Sequence, residues 1–386
     1  MEGRTFNNLR SLVFEGGEHE FARKVVGLLR RAPNVSNLDL NNILYDPTQE
    51  LPWPISDLIP NLSTLRLHNF SICWTSPLLR NLTRLTLGSE FPQFPPEHVS
   101  IEMFLAALAN CPDLEILDLT HTGPELLNSR QSNCDVVIQL RRLRELSLKF
   151  LNPSTVGCIL SHIGYPESTR LAVYVQISMR TDLAESISQV LPHRDVQAIQ
   201  HFRQLTFLTV CPDYHPQFSA NNLLVRFQEP GIHTDPYRNP QAPARLAPKI
   251  VEVVGGDTII SLSIESWRID LPGEMWEALS HGLPRLARIR YHRTWEESDL
   301  GLVNSFILVF SRPFEGQPVC PRLEYLDLPR GVLNQDSSAA ALKRALTERD
   351  VCGRRLKRIR FSDDSEAEVG DLLVFETFRD LVDEVG

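Results

Sequence analysis

The chain has 386 residues, of which 42% are hydrophobic and 23% are charged, and its formal net charge is −9. Nine acidic residues and one arginine between positions 363 and 386 account for −8 of that charge, so the remainder of the chain is nearly neutral. This balance argues against general binding to nucleic acid, which needs a basic surface.

The N-terminal segment Met1–Arg10 is polar and lacks the apolar core of a signal peptide. The longest apolar run, around Phe306–Phe310, is too short to cross a bilayer. The seven cysteines form no Cys-x-x-Cys pair, which favours a reducing compartment. We therefore expect a monomeric cytoplasmic or nuclear protein that is not attached to a membrane.

A leucine motif recurs along the whole chain and makes it an internal repeat. Cys111–Leu119 reads Cys-Pro-Asp-Leu-Glu-Ile-Leu-Asp-Leu, and Cys320–Leu328 reads Cys-Pro-Arg-Leu-Glu-Tyr-Leu-Asp-Leu. Their shared core is L-x-x-L-x-L, and its last three positions alternate as a strand with one buried face does. Copies of this core begin at Leu9, Val35, Leu62, Leu82, Leu114, Leu143, Leu205, Ile259, Leu286, Leu323 and Leu356, with a degenerate copy around Leu171.

Most intervals between these strands predict a helix, because apolar residues recur there every three or four positions. Ser100 has the side chain of a helix N-cap and stands directly before one of these segments. The predicted helices are Glu18–Arg31, Ser100–Asn110, Pro153–Ile163, Thr181–Leu191, Pro272–His281 and Asp336–Arg349.

Alternating strands and helices of this kind are typical of leucine-rich repeats, in which parallel strands stack side by side. We therefore predict an α/β fold, a leucine-rich-repeat solenoid (horseshoe) with strands on its concave face and helices on its convex face. Residues 1–386 would form a single domain of about eleven or twelve irregular repeats. The proline-rich segment 228–249 predicts a loop excursion, and residues 366–385 predict an acidic amphipathic helix that caps the last repeat.

No motif in the sequence predicts catalysis. There is no P-loop, no G-x-S-x-G and no H-E-x-x-H, and no histidine lies at metal-ligand spacing from a cysteine. Cys111 and Cys320 occupy equivalent repeat positions, which favours a packing role for both. We expect neither an enzyme nor a bound cofactor or metal.

The best candidate site is a cluster of cations on the predicted concave face of the last repeats. Its residues are Arg288, Arg290, His292, Tyr325, Asp327, Arg358 and Arg360. Arginine can bind a carboxylate through two N–H groups and tyrosine gives an amphipathic anchor, so the cluster predicts a docking patch for an acidic segment of a partner protein. The structural alternative is that Arg290, Asp327 and Arg360 lie on consecutive strands, where Asp327 would pair with both arginines. The basic run Arg354–Arg360 resembles a nuclear-localisation signal, although its apolar residues also hold the strand register.

The Cys-Pro-x-Leu-Glu-x-Leu-Asp-Leu units and the irregular repeat lengths resemble the leucine-rich-repeat region of F-box proteins, particularly the large fungal set. The segment Ile159–Thr169 is similar to a recurring element of that region, a helix followed by a turn with proline, serine and threonine. The resemblance implies that the repeats recognise a substrate of a ubiquitin ligase, whereas an F-box would bind the cullin-type adaptor. This chain shows no F-box pattern, because the first repeat begins by Phe6 and the prolines of Leu51–Pro54 do not suit an F-box helix. The alternatives are a ligase-independent scaffold or sequestering protein and, in another class, an enzyme with an unrecognised site.

Overall fold

The computed structural model describes most, but not all, of the chain. The described residues are 6–16, 21–42, 55–70, 72–89, 99–124, 136–176, 189–190, 207–211, 217–220, 223–228, 257–266, 273–293, 304–311, 318–329, 336–362 and 378–385. The chain divides into two compact units. The first comprises Met1–Gln176 and Gln189–Ala198, and the second comprises Ile177–Ser188 and Ile199–Gly386. Each is a mixed α/β structure with parallel strands and helices.

The first unit contains a parallel sheet whose strands follow one another in chain order. The strands of this sheet are β1 (Ser11–Gly16), β2 (Asn37–Asn42), β3 (Thr64–His68), β4 (Arg84–Gly88), β5 (Ile116–Thr120), β7 (Glu145–Phe150) and β9 (Arg170–Gln176). Two short strands, β6 (Ile138–Gln139) and β8 (Ile163–Gly164), pair separately. Each predicted repeat core in this unit therefore contributes one strand of the main sheet.

The leucines of the repeat lie opposite one another in this sheet. Leu65 pairs with Leu38 on one side and with Leu85 on the other, and Leu117 pairs with Leu85 and Leu146. All of these side chains are buried. A shift of one residue in any strand would move its leucines to the opposite face of the sheet, so the hydrophobic pattern fixes the register.

In the described part of the first unit, three α-helices connect strands: α1 (Phe21–Leu29), α2 (Ile101–Ala109) and α3 (Pro153–His162). Helix α2 begins as predicted, because the Ser100 side chain accepts a hydrogen bond of 3.3 Å from the Met103 amide. Asn152 caps α3 in the same way, accepting from the Ser154 amide at 3.0 Å. These helices confirm three of the predicted segments, with α1 ending two residues before the predicted end.

The second unit combines a parallel ladder with an antiparallel end. Strand β10 (Phe207–Cys211) pairs antiparallel with β11 (Gln217–Ala220), which pairs antiparallel with β12 (Leu223–Gln228). The leucine pattern did not predict β11 or β12. From β10 onward the pairing is parallel and passes through β13 (Ser261–Ser266), β14 (Arg288–Arg293), β15 (Tyr325–Pro329), β16 (Leu356–Ser362) and β17 (Val382–Val385).

One side of the second unit's parallel ladder is packed with apolar side chains from helices. These are α4 (Gly273–Gly282), α5 (Asn304–Phe310) and α6 (Asp336–Val351). Trp276 of α4 lies 4.7 Å from Phe306 of α5 and 6.3 Å from Tyr291 of β14, measured between ring centroids. Such aromatic contacts add to the stability gained by burying apolar area. Helices α4 and α6 confirm predicted segments, whereas α5 was not predicted.

The predicted capping helix at 366–385 is wrong at its C-terminal end, where Val382–Val385 form strand β17. Leu356 pairs with Val382, and Ile359 pairs with Val385. Without β17, the outer edge of β16 would lack these backbone partners, and pairing with that edge outweighs the helical spacing of the apolar residues. Residues 366–377 of the predicted helix, the loop at 228–249 beyond Gln228, and nearly all of the helix Thr181–Leu191 lie outside the described residues. The prediction of a single domain stays a prediction.

Candidate functional site

The predicted cation cluster lies on the side of the second unit's sheet that faces away from the apolar core. Along β14, β15 and β16 the side chains alternate between the two sides of the sheet. Ile289, Leu326 and Ile359 are buried on the core side. We call the opposite side, which carries Arg288, Arg290, Tyr325, Asp327, Arg358 and Arg360, the open face of the second unit.

The strand register brings the predicted residues into two rows. In the first row Arg288 pairs with Tyr325, which pairs with Arg358. In the second row Arg290 pairs with Asp327, which pairs with Arg360. His292 lies opposite Glu265 of β13. Because neighbouring strands are about 4.8 Å apart, each row places three functional side chains within about 10 Å.

The second row forms only half of the charge ladder that the structural alternative predicted. The Arg290 Nε atom lies 3.1 Å from Asp327 Oδ2 in a charge-assisted hydrogen bond. The Asp327 side chain is only 15% exposed. Arg360 is exposed and forms no ion pair with any residue that the structure describes. One arginine of the row is therefore held by the carboxylate, and the other presents its guanidinium to solvent.

The first row joins cations to an aromatic ring. The Arg288 guanidinium lies over the Tyr325 ring at 4.8 Å from the centroid, a cation–π contact. Arg358 Nε lies 3.7 Å from Glu384 Oε1 on β17, which is close enough for an ion pair and too long for a hydrogen bond. That Nε atom is buried and has no hydrogen-bond partner. The open face is thus a mixed surface, with four arginines and the two carboxylates of Asp327 and Glu384.

A second group of arginines, which the prediction missed, lines a groove at the start of the same strands. The groove has a volume of about 380 Å³, and its lining includes Arg285, Arg322, Arg354 and Arg355. We call these four residues the arginine groove. Arg285, Arg322 and Arg355 each stand directly before the first apolar residue of a repeat. Comparing that one position across repeats would have identified three of them from the sequence.

The corresponding face of the first unit's sheet is more evenly balanced. Arg66 NH1 lies 3.7 Å from Asp39 Oδ2, and Asn41 donates a hydrogen bond of 2.9 Å to Glu15. Burial raises the pKa of the Asp118 carboxyl above its usual value, although a hydrogen bond with Ser147 opposes the shift. Opposite charges on neighbouring strands neutralise this face locally.

The buried cysteines behave as packing residues, as predicted from their equivalent positions. Cys111 and Cys320 are both buried, and burial raises the pKa of each thiol. A buried thiol with a raised pKa is a poor nucleophile, because the thiolate is the reactive form. Both are free thiols, as are Cys73, Cys158 and Cys352.

Within the described ranges, no cluster of three or more histidine, cysteine, aspartate or glutamate side chains could hold a metal ion. The helices in those ranges include none that is both long and apolar enough to span a membrane. Comparison of the chain with protein-family models and with curated proteins finds no match.

Proposed function

We propose that this chain is a leucine-rich-repeat protein that recognises a partner protein through the open face of its second unit. The observation that carries the proposal is the pair of in-register rows on β14, β15 and β16. They combine exposed arginines with a tyrosine ring on one face of a sheet. Tyrosine and arginine are among the residue types enriched at the positions that contribute most binding energy at protein interfaces.

The chemistry of the rows favours an acidic segment of the partner. Among the described residues Arg360 has no ion pair and Arg288 contacts the Tyr325 ring without an ion pair, so both guanidinium groups can donate hydrogen bonds to a carboxylate. The Arg290–Asp327 ion pair orders the middle of the patch. A preorganised cation costs less entropy on binding than a mobile one.

The sequence resemblance supports a more specific version of this proposal, in which the surface selects substrates as the repeats of F-box proteins do. The partner would then be a substrate protein, and a cullin-type adaptor would be a second partner. A ligase-independent scaffold or sequestering protein would use the same face without the adaptor. We propose a cytoplasmic or nuclear site of action on the same basis.

The test is an affinity capture of partners from native cell lysate, read by mass spectrometry, with matched charge variants. The face variant is Arg288→Gln with Arg360→Gln, which removes the charge of the two exposed cations without placing a carboxylate opposite Asp327. Arg290 is left intact, because it forms the ion pair with Asp327. The control variant is Lys343→Gln with Arg344→Gln, two exposed residues of helix α6.

We expect the wild type and the control variant to capture the same proteins and the face variant to lose them, while all three melt within a few degrees of one another. Equal capture by the face variant would refute recognition through the open face. Recovery of a cullin adaptor with the wild type would support the ubiquitin-ligase version, and recovery of other proteins alone would support the scaffold.

A further inference from the structure

A row of arginines lies where three neighbouring strands of the second unit's sheet begin. Arg285, Arg322 and Arg355 precede β14, β15 and β16 at the same repeat position. Neighbouring strands are about 4.8 Å apart, so the three backbone positions span about 10 Å. Gly353, with a φ of +66°, ends helix α6 and turns the chain so that Arg354 also lines the groove.

The first unit carries opposite charges, instead of like charges, at this repeat position. There Asp113 and Arg142 occupy it on consecutive repeats, and Arg142 Nε lies 3.2 Å from Asp113 Oδ1. Opposite charges on adjacent strands attract, whereas like charges on adjacent strands repel. A row of arginines is therefore a cost to the fold of the second unit, and packing gives no reason for it.

Of the three arginines in the row, Arg355 is paired with nearby carboxylates. Its Nε atom lies 3.2 Å from Asp383 Oδ1 and its NH1 atom 3.9 Å from Asp350 Oδ1, and the same side chain donates to the Val382 carbonyl at 3.0 Å. Glu324, which is the one acidic residue among the described residues that line the groove, lies 2.8 Å from Lys357 Nζ. The other three arginines of the groove are exposed and form no ion pair with a described residue.

We propose that the arginine groove binds an aspartate- or glutamate-rich segment of a partner protein. A guanidinium group holds a carboxylate through two parallel hydrogen bonds, which an ammonium group cannot do. The cations come from successive strands and form a row, so they match a series of single carboxylates better than one phosphate group. The groove volume lies within the range of roughly 300–1,000 Å³ that is usual for binding clefts.

One further feature of the groove favours a peptide over nucleic acid. The described residues that line it include no aromatic side chain, so they offer no platform on which a base could stack. This inference goes beyond the proposed function, since the groove lies along the strand starts and uses none of the open-face residues.

The experiment measures fluorescence anisotropy of labelled peptides with the full chain. The probes are a ten-residue peptide with six glutamates, the same peptide with glutamine in place of glutamate, and a version with two phosphoserines. A single-stranded DNA of equal charge completes the set. The proteins are the wild type, Arg285→Gln with Arg322→Gln, and the control Lys343→Gln with Arg344→Gln, which removes the same charge from helix α6.

We expect the wild type and the control to bind the glutamate peptide in a salt-dependent manner and the groove variant to bind it at least tenfold more weakly. Equal affinity in the groove variant and the control, binding of the glutamine peptide, or no binding to the wild type would each overturn the proposal. If the phosphoserine peptide binds more tightly than the glutamate peptide, the groove recognises phosphate and the proposal of a carboxylate ligand is overturned. If the DNA binds more tightly than the glutamate peptide, the proposal of a peptide ligand is overturned. Loss of lysate capture in the face variant tests the open face, and loss of peptide affinity in the groove variant tests the groove, so failure of either proposal can be told from failure of the other.

Discussion

Replacing Arg349 by methionine is the sharpest test of how the second unit holds its last repeats together. The side chain is 1% exposed and lies within helix α6. Its guanidinium donates hydrogen bonds to the carbonyl oxygens of Val319 at 2.8 Å, Cys320 at 3.2 Å and Leu323 at 3.0 Å. It thereby fixes the turn before β15, in which Cys320 has a left-handed φ of 51°.

Two opposing energies decide the size of the effect. A hydrogen bond from a charged donor contributes about 1.5–3 kcal/mol, so the loss of three costs several kcal/mol. Burial lowers the pKa of Arg349 to about 10, which corresponds to a desolvation penalty of about 3 kcal/mol for the charged side chain. Replacing the arginine by methionine removes that penalty. The Cys320 carbonyl keeps a second donor, the Leu323 amide at 2.9 Å, which reduces the cost further. We expect the hydrogen bonds to prevail and Arg349→Met to lower the free energy of unfolding by about 3 kcal/mol.

The assay is equilibrium unfolding in urea, followed by the fluorescence of tryptophans such as Trp276, which packs in the same unit. Arg344→Met is the matched control, because Arg344 is exposed on the same helix and should lose less than about 0.5 kcal/mol. A loss below about 1 kcal/mol for Arg349→Met, or a gain in stability, would mean that desolvation outweighs the three hydrogen bonds. The reasoning about this turn would then be refuted.

Two further predictions concern the dependence of stability on pH. Burial lowers the pKa of His121 to about 4, so the folded state binds fewer protons than the unfolded state between about pH 4 and 6.5, and stability falls as the pH drops through that window. Asparagine tolerates the left-handed φ of 52° at this position, so His121→Asn is the variant to test. Because the ring is partly exposed, the variant should reduce the fall in stability by only about 1–2 kcal/mol. The measurement is the free energy of unfolding in urea at pH 7 and at pH 4.5, and a difference between the two pH values as large as that of the wild type would contradict the prediction. The raised pKa of Asp118 makes stability depend on pH in the opposite direction. Its contribution to stability is lost as the pH rises from the pKa of the unfolded state to that of the folded state. Asp118→Asn should therefore be more stable than the wild type at pH 7 and equal to it below about pH 4, and a variant that is less stable at neutral pH would show that the Asp118 carboxylate is favourable.

The repeat register could be predicted because burial of the leucines depends on sequence positions alone. Leu38, Leu65 and Leu117 stand at equivalent positions in the motif, and the structure pairs their strands in that register. Strands β11, β12 and β17 could not be predicted in this way. They carry no copy of the motif, and β17 exists because the edge of β16 offers backbone partners, which is a tertiary effect.

The candidate site was predictable only as a set of positions. The motif placed Arg290, Asp327 and Arg360 on consecutive strands, and the register confirms that placement. It did not determine which arginine Asp327 would bind, because either could reach it from an adjacent strand. The contact between Arg358 and Glu384 could not be predicted from the sequence either, because Glu384 lies on a strand that the sequence pattern assigned to a helix.

The distribution of charge carries more functional information than the apolar pattern does. Adjacent repeats of the first unit pair Arg66 with Asp39 and Arg142 with Asp113, so their surface charges contribute to the unit's own structure. The second unit places arginines at one repeat position and leaves exposed cations without a described partner, although the chain as a whole is acidic. Apolar repeats can stabilise a sheet without such cations, and like charges on neighbouring strands weaken it. Repulsion between neighbouring arginines lowers the stability of the sheet and the fold does not require it, which indicates that these cations serve binding. Both proposals therefore concern the second unit.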